Sequence, residues 1–246
     1  MLTAFSEISA QDRIIVALDC GPDTALSLAD QLQGRTQWLK VGMTLYYAVG
    51  PTIVRTLKKL GFKVFLDLKL HDIPHQVRGA AYSAADSGAD MITMHTLGGQ
   101  AMLQAGLEGV QDACRKAGRP TAATLGITVL TSMDDAALNQ IGIAHTAPEQ
   151  VALLANVAKA AQISGVVCSP QEASMLREVL GPDAYIVTPG VRPAGSEVGD
   201  QSRVATPAQA FQAGASHIVV GRPITQAPDP AQAFDGIVKE VISSDK

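Results

Sequence analysis

Residues 63–74, Lys63-Val64-Phe65-Leu66-Asp67-Leu68-Lys69-Leu70-His71-Asp72-Ile73-Pro74, set an apolar run directly against a dense group of charges. Val64 to Leu68 reads as a buried strand. Side chains alternate along a strand, so Asp67 and Lys69 share one face and Leu68 and Leu70 the other. A carboxylate beside an ammonium at the end of a buried strand is costly to desolvate and easily replaced by apolar residues. Such a pair is more often kept for chemistry than for stability. Pro74 stops the ladder, and Asp72 is carried into the following loop.

Short β-branched runs like this one recur on both sides of it. Candidate strands are Ile14 to Leu18, Trp38 to Val41, Val64 to Leu68, Met91 to Met94, Ala122 to Thr128, Gly165 to Cys168, Tyr185 to Thr188 and His217 to Val220. Helical periodicity falls between them: Asp23 to Leu32, Thr52 to Leu60, Val77 to Ser87, Gln100 to Ala117, Pro148 to Ile163, Gln171 to Val179 and Pro207 to Ala213. Ala231 to Ile242 follows the last strand. Pro near helix starts and Gly near helix ends fit helix boundary chemistry. Alternating βα units with strands apolar throughout imply a parallel sheet covered on both faces. Eight such units predict an α/β fold, a (β/α)₈ TIM barrel, with residues 1–246 as one domain. The long irregular stretch Gly190 to Ser202, after the seventh strand, reads as a lid or binding loop.

Composition narrows the function classes. The 246 residues are 47% hydrophobic and 17% charged, enough to bury a sizeable core. A net charge of −4 and a pI of about 5.7 argue against a general nucleic-acid or anionic-membrane binder. Cys20, Cys114 and Cys168 are odd in number and far apart, which predicts neither a disulfide framework nor a zinc site and favours the cytoplasm. The first residues carry no apolar signal-peptide core, and no apolar run is long enough to span a bilayer.

In a barrel the C-terminal strand ends form the active face. Asp19 closes strand one, Lys40 lies near the end of strand two, Asp67 and Lys69 end strand three, and His95 ends strand four. Thr131 and Ser132 follow strand five, Arg192 follows strand seven, and Gly221 and Arg222 follow strand eight. Taken singly, Asp19 reads as a turn residue, Lys40 as a snorkelling side chain and His95 as a hydrogen-bonded structural histidine. Their convergence on one mouth is what points to a site. His71 and His75 are four apart, but Pro74 between them argues against a shared helix and no third ligand is evident, so no metal site is expected. Gly221-Arg222 opening a helix after a β-branched strand makes an anion cradle of backbone N–H groups and a guanidinium. Gln201 is placed to close over the same anion.

With FLDLKLHDIP at 65–74, VLTS at 129–132, VCSPQEA at 167–173, VTPGVRP at 187–193, DQSRVATP at 200–207 and VVGRPIT at 219–225, the chain resembles the orotidine 5′-monophosphate decarboxylase family. The resemblance runs through most of the chain. It implies decarboxylation of orotidine 5′-monophosphate (OMP) to UMP, without metal or cofactor, by a homodimer with shared active sites. Carried over by position, Lys69 would protonate C6 of the pyrimidine and Asp67 would lie against the scissile carboxylate. Lys40 and Asp72 would complete an alternating Lys-Asp-Lys-Asp chain, with Asp72 entering a second subunit's site. Asp19 and Lys40 would bind ribose hydroxyls, Thr131 the ring, and Arg192, Gln201, Gly221 and Arg222 the phosphate. Ile73 and Gln76 complete the implied substrate contacts, although the family usually has threonine where this chain has Gln76. Two rival readings share parts of the pattern. One is a magnesium-dependent sugar-phosphate decarboxylase or aldolase with the same strand-three motif, and the other is an inactive barrel that only binds a nucleotide.

Overall fold

The computed structural model describes residues 5, 7–193 and 205–244. Its strands are β1 (Ile14–Ala17), β2 (Trp38–Gly42), β3 (Lys63–Leu70), β4 (Met91–His95), β5 (Ala123–Ile127), β6 (Gly165–Val167), β7 (Tyr185–Thr188) and β8 (His217–Val220). All pair in parallel, in chain order, and β8 pairs back onto β1 to close a barrel. The expected fold class is the one observed. Each strand lies within a residue or two of its expected bounds, β3 running on to Leu70.

Alternation along the strands sorts the side chains into an inner and an outer set. Ile15, Ala17, Trp38, Phe65, Met91, Leu125, Val187 and Val219 form one buried cluster, which fills the barrel. Their neighbours Ile14, Val16, Leu39, Val64, Leu66 and Ile92 point outward into a second cluster shared with the helices. Both sets are apolar, which is why these strands show no polar–apolar alternation in sequence.

The helices are α1 (Pro22–Leu32), α2 (Met43–Val49), α3 (Thr52–Lys59), α4 (Pro74–Asp86), α5 (Gly99–Lys116), α6 (Asp135–Gln140), α7 (Ala147–Ala160), α8 (Ala173–Leu180), α9 (Pro207–Gln212), α10 (Arg222–Thr225) and α11 (Pro230–Ser244). Proline sits in the first turn of α1, α4, α7, α9 and α10, where its missing N–H costs nothing. Gly61 and Gly88 leave α3 and α4 at φ 94° and 107°, a region open to glycine. Helix α4 begins at Pro74, three residues before the expected Val77. Pro74 therefore opens a helix as well as ending the strand segment. Of the loop expected from Gly190 to Ser202, residues 194–202 lie outside the described residues, as does Gln201. The loop's two ends are joined: Val191 bridges Ala205, and the Arg192 N–H donates to the Ala205 carbonyl at 3.0 Å.

Candidate active site

Parallel pairing brings the polar strand ends to one level. Lys40 lies opposite Ala17 on β1 and Phe65 on β3, and Gly42 lies opposite Asp67. The alternation that points Ala17 and Phe65 into the barrel therefore points Lys40 and Asp67 into its mouth. A cavity of about 690 Å³ opens there, lined by Asp19, Lys40, Asp67, Lys69, Thr131, Arg192, Gly221 and Arg222 among others. Apolar side chains of Phe65, Ile127, Val129, Val167 and Val219 form its inner wall.

Charges alternate through the buried end of this cavity. Lys40 Nζ lies 2.8 Å from Asp19 Oδ1 and 3.7 Å from Asp67 Oδ2, and Lys69 Nζ lies 2.8 Å from Asp67 Oδ1. Lys40 and Asp67 are buried, whereas the Asp19 side chain is open to solvent. Burial pushes the Asp67 carboxyl up, but Lys40 and Lys69, with hydrogen bonds from Lys69 and Thr93, outweigh it and hold the group below its ordinary value. Asp67 is thus an anion at neutral pH. Among the described residues, four cations, Lys40, Lys69, Arg192 and Arg222, face two carboxylates around the cavity, a balance that suits an anionic ligand.

Lys69 reaches the cavity by an unexpected route. Plain alternation would put Asp67 and Lys69 on one face of an unbroken strand, but the β3–β4 register shifts between Leu66 and Leu70, and Lys69 takes φ 53°. Asp67 and Lys69 do meet on one side, through a bulge in place of plain alternation. Gly42 is a second feature that side-chain reading missed. A Cβ there would stand 2.9 Å from Asp19 Oδ1 and 3.2 Å from Lys40 Nζ, so the bare backbone leaves room for that ion pair.

Asp72, Ile73 and Gln76 lie elsewhere. All three are exposed, in the β3–α4 loop and first turn of α4, and none lines the cavity. The Asp72 carboxylate accepts from the Ile73 N–H at 2.6 Å. His71 and His75 do not share a helix, since α4 begins at Pro74. The His95 ring packs against His71, centroids 5.3 Å apart, and its buried Nδ1 has no hydrogen-bond partner among the described residues. The bonded structural role expected of His95 is not met at that atom. Among the described residues no three His, Cys, Asp or Glu side chains cluster as metal ligands, and no helix is long and apolar enough to cross a membrane.

A closed parallel barrel with its charged residues gathered at the C-terminal strand ends defines the class: a (β/α)₈-barrel enzyme. The sequence profile of the orotidine 5′-phosphate decarboxylase / HUMPS family matches residues 12–237, and the chain belongs to that family. A protein of Moorella thermoacetica named orotidine 5′-phosphate decarboxylase is 48% identical over 235 residues, 94% of this chain and 93% of that one. A namesake from Halorhodospira halophila is 49% identical over 233 residues, 94% of this chain and 97% of its own. The crystal structure of orotidine 5′-phosphate decarboxylase from Lactobacillus acidophilus superposes with a TM-score of 0.83 at 39% identity, covering 94% of this chain and 99% of that one.

Proposed function

We propose that this chain decarboxylates orotidine 5′-monophosphate to UMP and CO₂, using its own charged side chains in place of a metal or cofactor. The observation that carries the reading is the Lys40–Asp67–Lys69 group, its first two members buried, at one side of a cavity whose rim holds Arg192, Gly221 and Arg222. Breaking the C6–carboxylate bond leaves its electron pair in an in-plane orbital at C6, where the ring π-system cannot spread it. A preorganised ammonium aimed at that carbon stabilises the charge as it develops. Lys69 then gives its proton to C6, forming the C–H bond of UMP, and recovers one from solvent. Asp67 orients Lys69 and repels the substrate carboxylate, favouring its departure.

Arg192 and Arg222, with the backbone at Gly221, supply the donors for the phosphate, and Gln201 is assigned to the same group. Phosphate binding energy then offsets the cost of assembling so many charges around the base. Asp19 and Lys40 take the ribose hydroxyls and Thr131 the ring. The exposure of Asp72, Ile73 and Gln76 supports a homodimer in which they enter a second subunit's site. Three free cysteines fit the reducing cytoplasm as the compartment.

The test follows OMP decarboxylation by ultraviolet absorbance with EDTA present. Wild type turns over undiminished, and Lys69→Ala loses at least about 10²–10⁴-fold in kcat while keeping its fold. Folded wild-type protein inert towards OMP would overturn the proposal. Inertness towards OMP together with magnesium-dependent turnover of a sugar phosphate would transfer the reading to the metal-dependent sugar-phosphate enzymes.

A further inference from the structure

The bulge in β3 raises a question of support. Four steps along β3, from Leu66 to Leu70, answer to two along β4, from Ile92 to Met94. Within that interval the ladder is interrupted, and Lys69 adopts the left-handed backbone that side chains other than glycine rarely take. A strained conformation persists only where its surroundings over-determine it. One side chain meets that need. Thr93, in the middle of β4, is fully buried. Its Oγ1 accepts from the Lys69 N–H at 2.9 Å and donates to Asp67 Oδ1 at 3.0 Å. Lys69 Nζ closes the circuit at 2.8 Å from the same Asp67 oxygen. Backbone of Lys69, hydroxyl of Thr93, carboxylate of Asp67 and ammonium of Lys69 thus form one ring of three polar contacts.

We propose that Thr93 is the positioning residue of this site, fixing the bulged backbone of Lys69 and the carboxylate of Asp67 in one geometry. The inference rests on the decarboxylase reading given above. Thr93 does not line the cavity, so it acts through Lys69 and Asp67. A hydroxyl has one proton to give and lone pairs to accept with, and here both capacities are used on the two charged residues. Its hydrogen bond is also among the influences that hold the Asp67 carboxyl down. Without the hydroxyl, the Lys69 N–H loses its acceptor in a partly buried setting and the lysine is released from its left-handed turn.

Thr93→Val keeps the shape and removes both bonds, whereas Thr93→Ser keeps them. With OMP as substrate, T93V should lose about 10- to 100-fold in kcat, the scale of a misplaced reacting group. KM should stay within about threefold, because the phosphate donors lie across the cavity. T93S should recover to within about threefold of wild type. The acid limb of the kcat profile should move to higher pH in T93V, since Asp67 loses a bond that favours its charged form. Amide exchange by NMR supplies a readout independent of turnover: the Lys69 N–H should exchange at least about tenfold faster in T93V and not in T93S. If T93V does not fold, Thr93→Ala removes the same hydroxyl and takes its place. A T93V kcat within about twofold of wild type, a T93S as impaired as T93V, or an unchanged Lys69 exchange rate overturns the assignment. Active wild type with unimpaired T93V sinks the Thr93 assignment alone. Inert wild type sinks the decarboxylase reading and, with it, the effect on kcat.

Discussion

His217 is a titratable group without a solvent-facing role. It begins β8 on the barrel floor, inside a ring of aromatic contacts: Tyr185 stacks on it at 5.5 Å, and Phe5 and Trp38 meet it edge-on at 5.6 and 5.8 Å. Burial lowers its pKa, Arg13 and Lys63 lower it further, and the value falls to about 3. The folded pKa lies below the unfolded value of about 6.5. The stabilisation is therefore whole above pH 6.5 and is lost as pH falls towards 3, because only the unfolded chain takes up the proton there. Between pH 7 and pH 5 this residue should cost the protein about 2 kcal/mol. Urea unfolding at both pH values checks it: His217→Phe should flatten that part of the loss, and a parallel decline in both proteins would refute the assignment. Residue chemistry of this kind is partly legible in sequence. Lys40, Asp67 and Lys69 stand out because charge interrupts an apolar run. Thr93 and Gly42 do not, since a threonine or glycine in a strand signals nothing until its neighbour across the sheet is known.

Helices α4 and α5 touch backbone to backbone. A Cβ at Gly109 would stand 2.2 Å from the Arg78 carbonyl oxygen and 3.1 Å from the Tyr82 nitrogen, atoms that cannot swing aside. Arg78 also spans the pair, bonding Asp112 and lying 3.6 Å from Glu108. Gly109→Ala raises helix propensity, yet the helices must separate to admit the methyl group. The expected net result is a loss of about 1–3 kcal/mol, a fall in Tm of roughly 2–10 °C by calorimetry. An unchanged or higher Tm would show that the contact gives way freely. Among elements, the strands were readable because each is a short, largely apolar run. Helices α2 and α6 were not: seven and six residues long, they span at most two turns and lack the Thr-Pro start that marks the equally short α9. The β3 bulge escaped for another reason, since Asp67-Leu68-Lys69-Leu70 has the alternation of a regular strand and the irregularity lies in its register against β4.

At the scale of the molecule, the described residues that the family resemblance assigns to the substrate gather at one mouth, apart from Asp72, Ile73 and Gln76, which are exposed. The proposed sharing between subunits would make this arrangement functional, and subunit mixing tests it. Asp72→Ala and Lys69→Ala proteins, each inactive alone, should regain roughly a quarter of wild-type activity when randomly reassorted, because half the dimers are mixed and each restores one site. No recovery in verified heterodimers would place Asp72 outside a shared site.

The closed ladder also dictates an order in time. The side chain of Arg13 binds the carbonyl of Ser216, 203 residues away, and β1 completes its second edge only against β8. At about 5–20 residues per second on the ribosome, β1 waits some 10–40 s for that edge to exist. Of the barrel's eight strands it is the first made during synthesis and the last fully paired. Lys40, Asp67 and Lys69 are translated on an open, half-built sheet, well before Gly221 and Arg222 emerge, and the nascent chain must keep that edge from other strands until the circle closes.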